Sequence, residues 1–141
     1  MIYLDTNIVV ALCAHEQDSD KIESAIASIE EQLLTSECTR VEFTSAIGIK
    51  VRNRELTEAL ARRALADYYH AFEPGVAVVT PSREDYILAA DYLQDLKRGL
   101  RSGDALHLAV AVNQKATRLL TLDKAFIKAA RGVSLPVGLP W

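Results

Sequence analysis

Short apolar segments rich in β-branched residues alternate along this chain with longer segments whose apolar residues recur at helical spacing. This alternation restricts the fold, because strands that are separated by helices pair in parallel through right-handed crossovers. We therefore expect an α/β protein, built as a three-layer α/β/α sandwich around a small parallel sheet. The 141 residues contain no internal repeat or linker, so we expect one domain over residues 1–141.

The boundaries of these elements are predicted from turn residues and helix-capping residues. Strands are predicted at residues 2–4, 34–36, 76–79, 118–121 and 133–135. Helices are predicted to begin at Thr6, at Asp18 or Ser19, and at Thr39, Thr57, Ser82, Ser102 and Asp123. The helix from Ser82 is expected to continue through Leu96 and to end near Gly99. The helices from Thr39 and Thr57 are expected to form a hairpin.

Composition excludes several classes of protein. Half of the residues are apolar and a quarter are charged, which excludes disordered and low-complexity chains. The two cysteines, Cys13 and Cys38, form no CxxC motif, so neither a disulfide framework nor a zinc knuckle is indicated. No apolar run approaches the roughly 18 to 20 residues that cross a bilayer, and no signal peptide follows Met1. We therefore expect a cytoplasmic protein with no membrane partner.

Acidic residues follow the predicted strands. Asp5 comes directly after the first strand, Asp123 follows the apolar segment 119–122, and Glu42 lies a turn into the helix after the second strand. Asp104 lies in the first turn of another helix. Ligands of open α/β sheets bind outside the carboxyl ends of the strands, so these four carboxylates are predicted to converge at one end of the sheet.

Each acid also has a simpler interpretation as a helix cap. Asp5 and Asp123 could accept backbone N–H bonds at the starts of helices. Glu42 stands three residues after Thr39, which is the spacing of a capping box, and Asp104 would be favoured by the helix dipole. Capping does not explain why all four acids are flanked by apolar residues, or why no basic residue alternates with them to neutralise their charge.

Several carboxylates in a small volume repel one another unless a cation keeps them ionised. A site made of oxygen ligands, without a Cys or His cluster, suits Mg²⁺ or Mn²⁺ better than Zn²⁺. Such a site can orient water for in-line attack on a phosphodiester, which is the chemistry of many nucleases. The acids therefore indicate a divalent-metal site with hydrolytic chemistry.

Four segments around these acids carry a family resemblance: YLDTN (3–7), RVEFTSA (40–46), LRSGDALHLAVA (100–111) and LLTLDKAF (119–126). They resemble the four acidic motifs of PIN-domain ribonucleases, and their order and spacing are most similar to VapC-type toxins of toxin–antitoxin systems. The resemblance spans the chain from the first strand to the last helix. It implies a PIN-like fold and an Mg²⁺- or Mn²⁺-dependent endoribonuclease that cleaves RNA.

The resemblance also implies roles for particular residues and partners. It places Asp5, Glu42, Asp104 and Asp123 at the catalytic, metal-binding site. It adds Thr6, Asn7 and Thr121 as polar neighbours that orient ligands or water. As partners it implies a second copy of the chain in a homodimer, and a cognate antitoxin protein that lies across the groove of the helical hairpin.

The remaining candidate residues are basic, histidine or aromatic. Lys124 and Arg101 lie beside two of the acids and are predicted to contact RNA phosphates, since affinity follows the local patch rather than the net charge of −3. His107 follows Asp104 by three residues, and we expect it to be a packed residue with one hydrogen bond rather than a metal ligand. The aromatic residues at 68, 69 and 72 have helical spacing, which favours core or dimer contacts over base stacking.

Two other functions are compatible with the same pattern. In the first, Asp5 is the nucleophile of a phosphatase similar to haloacid dehalogenases, but that family's motif has a second Asp where this chain has Asn7. In the second, the chain is a non-catalytic α/β module that binds proteins, and its acids only cap helices. The module predicts that Mg²⁺ and Mn²⁺ change neither activity nor thermal stability, whereas a metal site predicts stabilisation by the metal.

Overall fold

A computed structural model describes residues 1–15 and 18–141 of the chain. Among them, five strands form one sheet: β1 (Ile2–Leu4), β2 (Leu33–Ser36), β3 (Ala77–Val79), β4 (Arg118–Leu120) and β5 (Val137–Gly138). The strand order is β3-β2-β1-β4-β5, and each neighbouring pair is parallel. The prediction of a small parallel sheet in an α/β fold is confirmed.

The α-helices of the described residues are α1 (Thr6–Ala14), α2 (Ser19–Ala27), α3 (Glu37–Arg52), α4 (Glu58–Asp67), α5 (Arg83–Leu93), α6 (Ser102–Asn113) and α7 (Lys124–Ala129). A π-helical turn, Tyr68–Phe72, and a 3₁₀ turn, Glu73–Gly75, follow α4. Helices α3 and α4 pack against each other, so the predicted hairpin is present. None of these helices is both long and apolar enough to span a bilayer.

Strand β1 shows why the fold has three layers. Its side chains alternate between the two faces of the sheet, and both faces are buried. Ile2 and Leu4 lie in a core with α1, α2, α3 and α4, whereas Tyr3 lies in a second core with α6 and α7. Helix α5 covers the outside of α6 through Ala89. The apolar run of β1 therefore reflects burial on both sides.

The helix predicted to continue through Leu96 ends earlier than expected. Helix α5 begins with a capping box between Ser82 and Asp85, as its sequence indicates, but its last residue is Leu93. Beyond it, the Asp95 carbonyl accepts from Arg98 N at 3.0 Å, and its carboxylate accepts from Lys97 N at 3.3 Å. These local bonds compete with the helix and end it, which leaves Leu96 exposed.

The last strand was predicted at residues 133–135, which is wrong. Val133 N donates to Ala130 O at 3.1 Å, so this segment closes a turn after α7, and Leu135 is buried in the core. The pairing with β4 lies after it, because Leu119 N donates to the Pro136 carbonyl at 2.9 Å. A buried apolar turn and a short strand share the same composition, which explains the error.

Two other helix predictions differ from the structure in detail. Helix α3 begins at Glu37 rather than Thr39, because the Thr39 hydroxyl lies 2.7 Å from the Thr35 hydroxyl instead of capping the helix. The helix from Thr57 changes to a π-helical turn at Tyr68, whose ring is buried and stacks on Phe43 with centroids 4.6 Å apart. The expectation of a core role is therefore confirmed for Tyr68.

Two leucine truncations test this description of the core. Leu108→Ala removes a fully buried side chain and should lower the free energy of unfolding by about 2–5 kcal/mol. Leu96→Ala truncates a side chain that is 92% exposed and should change it by less than about 0.5 kcal/mol. Urea unfolding curves measure both values, and a large loss with Leu96→Ala would contradict the assigned end of α5.

Candidate active site

The four acids predicted to converge line one cavity of about 530 Å³. It opens at the carboxyl end of the sheet, where β1 leads into α1 and β4 leads into α7. Asp5 and Asp123 lie at those junctions, while Glu42 comes from α3 and Asp104 from the first turn of α6. The structure thus brings together side chains from four separate segments. Its other polar lining residues are Thr6, Asn7, Lys50 and Arg101.

Asp5 is a buried carboxylate that accepts hydrogen bonds from three neighbouring groups. Its Oδ1 accepts from Thr6 N at 2.7 Å, which caps α1. Its Oδ2 accepts from Asn7 Nδ2 at 2.7 Å and from Thr121 Oγ1 at 2.6 Å. Burial raises the pKa of Asp5, more than the charge of His107 and the hydrogen bond from Thr121 lower it. These donors fix both oxygens of the carboxylate in one orientation.

Asn7 and Thr121 also connect the two strand ends to each other. Asn7 Nδ2 lies 2.8 Å from Thr121 Oγ1, and Asn7 Oδ1 accepts from Leu122 N at 2.9 Å. Thr121 Oγ1 in turn accepts from Asp123 N at 3.1 Å. The residues predicted as polar neighbours of Asp5 therefore form one network that joins the start of α1 to the segment before α7.

Glu42 contacts two side chains that come from other helices. Its Oε2 accepts from Thr6 Oγ1 at 2.5 Å and lies 2.7 Å from His107 Nε2. Burial acts to raise the pKa of Glu42, but the hydrogen bond and charge of His107, together with Thr6, lower it below its usual value. Because Thr39 bonds to Thr35 instead, Glu42 is not the partner of a capping box.

His107 is a packed residue, as predicted, but it makes more contacts than the single hydrogen bond expected for it. Its ring is fully buried on α6, with Nδ1 2.7 Å from Tyr3 Oη and Nε2 2.7 Å from Glu42 Oε2. Burial alone would lower the pKa of His107, but the hydrogen bond to Glu42 and the charges of Asp5 and Glu42 raise it. The signal in the sequence was its spacing of three residues from Asp104 on one helix face.

Arg101 connects the other two acids of the cavity. Its Nε donates to Asp104 Oδ2 at 3.0 Å, and its second guanidinium nitrogen pairs with Asp123. Asp123 also caps α7, since its Oδ1 accepts from Ala125 N at 2.7 Å and from Phe126 N. Burial acts to raise the pKa of Asp123, but these two backbone bonds and Arg101 lower it.

The basic residue Lys50 also lines the cavity, although it was not assigned to the site from the sequence. It lies on α3 eight residues after Glu42, with Ala46 between them on the same helix face, and this i, i+4, i+8 spacing is the signal that would have found it. Its Nζ lies 3.3 Å from Glu55 Oε2. Lys124, which was predicted to contact phosphate, is exposed at the start of α7, outside the residues described as lining this cavity.

A search of protein families matches the model of the PIN domain to residues 2–132 of this chain. No curated protein matches the chain.

Several solved structures share the fold. VapC20 of Mycobacterium tuberculosis, a toxin that cleaves the sarcin-ricin loop, is 21% identical with a TM-score of 0.69, and the match covers 89% of this chain and 92% of that one. FitAcB of Neisseria gonorrhoeae is 19% identical with a TM-score of 0.73, covering 100% and 99%. A toxin–antitoxin complex of Klebsiella pneumoniae is 20% identical with a TM-score of 0.66, covering 100% and 98%.

The network around Asp5 can be tested by removing one hydroxyl. Thr121→Val leaves a buried carboxylate oxygen without one of its donors, so in metal-free buffer the free energy of unfolding should fall by about 1–3 kcal/mol. Thr117→Val is the matched control, since that exposed hydroxyl donates to the Met1 carbonyl and its loss should cost less than about 0.5 kcal/mol. Equal losses in the two urea unfolding curves would contradict the network.

Proposed function

This chain belongs to the PIN domain family, and from that membership we propose that it is a metal-dependent endoribonuclease that hydrolyses RNA phosphodiester bonds. We propose further that it acts as the toxin of a type II toxin–antitoxin pair. The observation that carries the proposal is the convergence of Asp5, Glu42, Asp104 and Asp123 on one cavity at the carboxyl end of the sheet.

The donor set of this cavity fits a hard divalent cation. Carboxylate oxygens of Asp5 and Glu42 lie close enough to share one ion, and those of Asp104 and Asp123, paired with Arg101, line the same cavity. Mg²⁺ and Mn²⁺ prefer such oxygens over nitrogen or sulfur ligands. We assign Asp5 and Asp104 as the direct ligands, with Glu42 and Asp123 completing the site. When bound there, the cation would offset the charge of the substrate phosphate and lower the pKa of an attacking water.

The chain's own residues prepare the site for that chemistry. Thr6, Asn7 and Thr121 hold Asp5 in one orientation, so little reorganisation is needed when a ligand binds. Arg101 is two-thirds exposed beside Asp104 and Asp123 at the cavity, and we assign to its guanidinium the role of binding an RNA phosphate. We assign the same role to Lys124, which is exposed next to Asp123.

The proposal includes protein partners. Helices α3 and α4 enclose a groove of about 410 Å³, and its lining includes the apolar side chains of Ile47, Val51 and Leu65. We propose that this groove receives a segment of the cognate antitoxin. The structural neighbour from Klebsiella pneumoniae, which is a toxin–antitoxin complex, supports a partner of this kind. We propose a homodimer as well, for which the exposed Tyr86 and Ile87 of α5 are candidate contacts.

The geometry argues against the two other functions. In the protein-binding module every acid would cap a helix, which Asp5 and Asp123 do, but the bonds of Glu42 go to the side chains of Thr6 and His107. In the phosphatase a second Asp would stand two residues after the nucleophile, but this chain has Asn7 there, and its side-chain amide donates to Asp5 Oδ2.

The purified protein is expected to cleave RNA in Mg²⁺ or Mn²⁺ and to lose this activity when the metal is chelated. Asp104→Asn should lower the cleavage rate by about 100-fold or more, since several kcal/mol of transition-state stabilisation depend on the cation. Gel analysis of an RNA panel, with circular dichroism to show that the variant is folded, provides the measurement. Cleavage that persists after chelation, and persists also in Asp104→Asn, would contradict the proposal.

Two substitutions of Asp123 distinguish its function as a helix cap from its role in the active site. Asp123→Ser keeps a good N-cap for α7, so its free energy of unfolding should stay within about 0.5 kcal/mol, whereas Asp123→Ala should lose about 1 kcal/mol. Both variants lack the carboxylate, so both should lose most RNA cleavage. Full activity in Asp123→Ser would show that this acid serves only as a cap.

A further inference from the structure

A series of hydrogen-bonded side chains runs from the interior of the sheet to Glu42. Ser36 Oγ lies 2.9 Å from Tyr3 Oη, Tyr3 Oη lies 2.7 Å from His107 Nδ1, and His107 Nε2 lies 2.7 Å from Glu42 Oε2. Ser36, Tyr3 and His107 are each at most 1% exposed. A buried histidine with a partner on each nitrogen has one ring orientation, so it presents Nε2 to Glu42 at a fixed place.

The hydrogen-bond donors among these side chains determine what His107 can do. An ionised Glu42 only accepts hydrogen bonds, so its 2.7 Å contact with His107 requires a proton on Nε2. A nitrogen that carries this proton has no lone pair for a metal ion, although Asp5, Glu42 and His107 are close enough to share one. His107 therefore acts on the site through Glu42, as a hydrogen-bond donor.

Gly103 lies close to the same carboxylate. It lies one turn before His107 on α6, and a Cβ at position 103 would be only 2.7 Å from Glu42 Oε1. A Cβ there would push aside the end of the half-exposed Glu42 side chain, against the hydrogen bonds that Thr6 and His107 make with its Oε2. Gly103 is the second residue of α6, and this close approach gives a physical reason for a glycine at that position.

We propose that His107 and Gly103 are positioning residues that form a seat on α6 for the carboxylate of Glu42. His107 holds Oε2 by donating a hydrogen bond, and Gly103 leaves the space that Oε1 occupies. The seat fixes how Glu42 faces the acidic cavity. The value of this positioning for catalysis rests on the proposed function, but the position of Glu42 can be tested without it.

Two amide substitutions at one position separate positioning from packing. The side chain of His107→Gln is long enough to place its N–H₂ near the position of Nε2, whereas that of His107→Asn reaches only the position of Nδ1. His107→Asn should lower kcat for RNA cleavage by about 10- to 100-fold with little change in KM, and His107→Gln should recover most of the loss. Equal losses in both variants, at similar melting temperatures, would overturn the proposal for His107.

Two glycine substitutions test the other half of the seat. Gly103→Ala should weaken Mn²⁺ binding, measured by isothermal titration calorimetry, by about 10-fold, because the new methyl group displaces Glu42. Gly48→Ala is the matched control within α3, since its Cβ would approach only the end of the Arg52 side chain, at 3.2 Å. The control should bind Mn²⁺ as the unchanged protein does. Unaltered Mn²⁺ binding by Gly103→Ala would overturn the role of Gly103.

Crystal structures of the metal-free variants test the seat without reference to activity. Glu42 should leave its position in His107→Asn and in Gly103→Ala, and should keep it in His107→Gln. If the unchanged protein neither binds Mn²⁺ nor cleaves RNA, the proposed function fails, and these structures still decide the seat. Glu42 in its original place in all three variants would overturn the proposal.

Discussion

A buried carboxylate at the end of the central strand is the constraint on which the rest of the site depends. Removing Asp5 from water costs free energy unless its oxygens are hydrogen bonded, and the donors come from Thr6, Asn7 and Thr121. Because Thr121 directly follows β4, the carboxylate has all three of these donors only when β1 and β4 pair in the observed register, Leu4 opposite Leu120. The order of the sheet and the geometry of the site therefore depend on the same hydrogen bonds.

The second constraint is the charge of the cavity. Four acids meet there, and two of them pair with the exposed Arg101 while a third contacts His107. A group of carboxylates at this density is an unfavourable arrangement for a purely structural site, because like charges repel. The same arrangement is favourable for holding a divalent cation against an RNA phosphate. The capping bonds of Asp5 and Asp123 add to this function, since they hold the carboxylates in place.

Much of this architecture could be predicted from the sequence because it depends on local patterns. The alternation of strands and helices determines a parallel sheet, and the carboxyl ends of parallel strands meet at one edge, so acids placed there converge. The contact between His107 and Glu42 joins residues 65 positions apart, and no local pattern predicts it. The close approach of Gly103 depends on the distance between two helices. The predicted end of α5 and the predicted position of β5 were wrong, because local turns competed with regular elements of similar composition.

The most direct test of the account is to locate a divalent cation in the crystal. Crystals of the protein soaked in MnCl₂ would be measured near the manganese absorption edge for anomalous scattering. If these acids form a metal site, a peak will lie about 2 Å from carboxylate oxygens of Asp5 and Asp104. Well-ordered density for all four acids without such a peak, and with Arg101 still paired to both Asp104 and Asp123, would show that they do not.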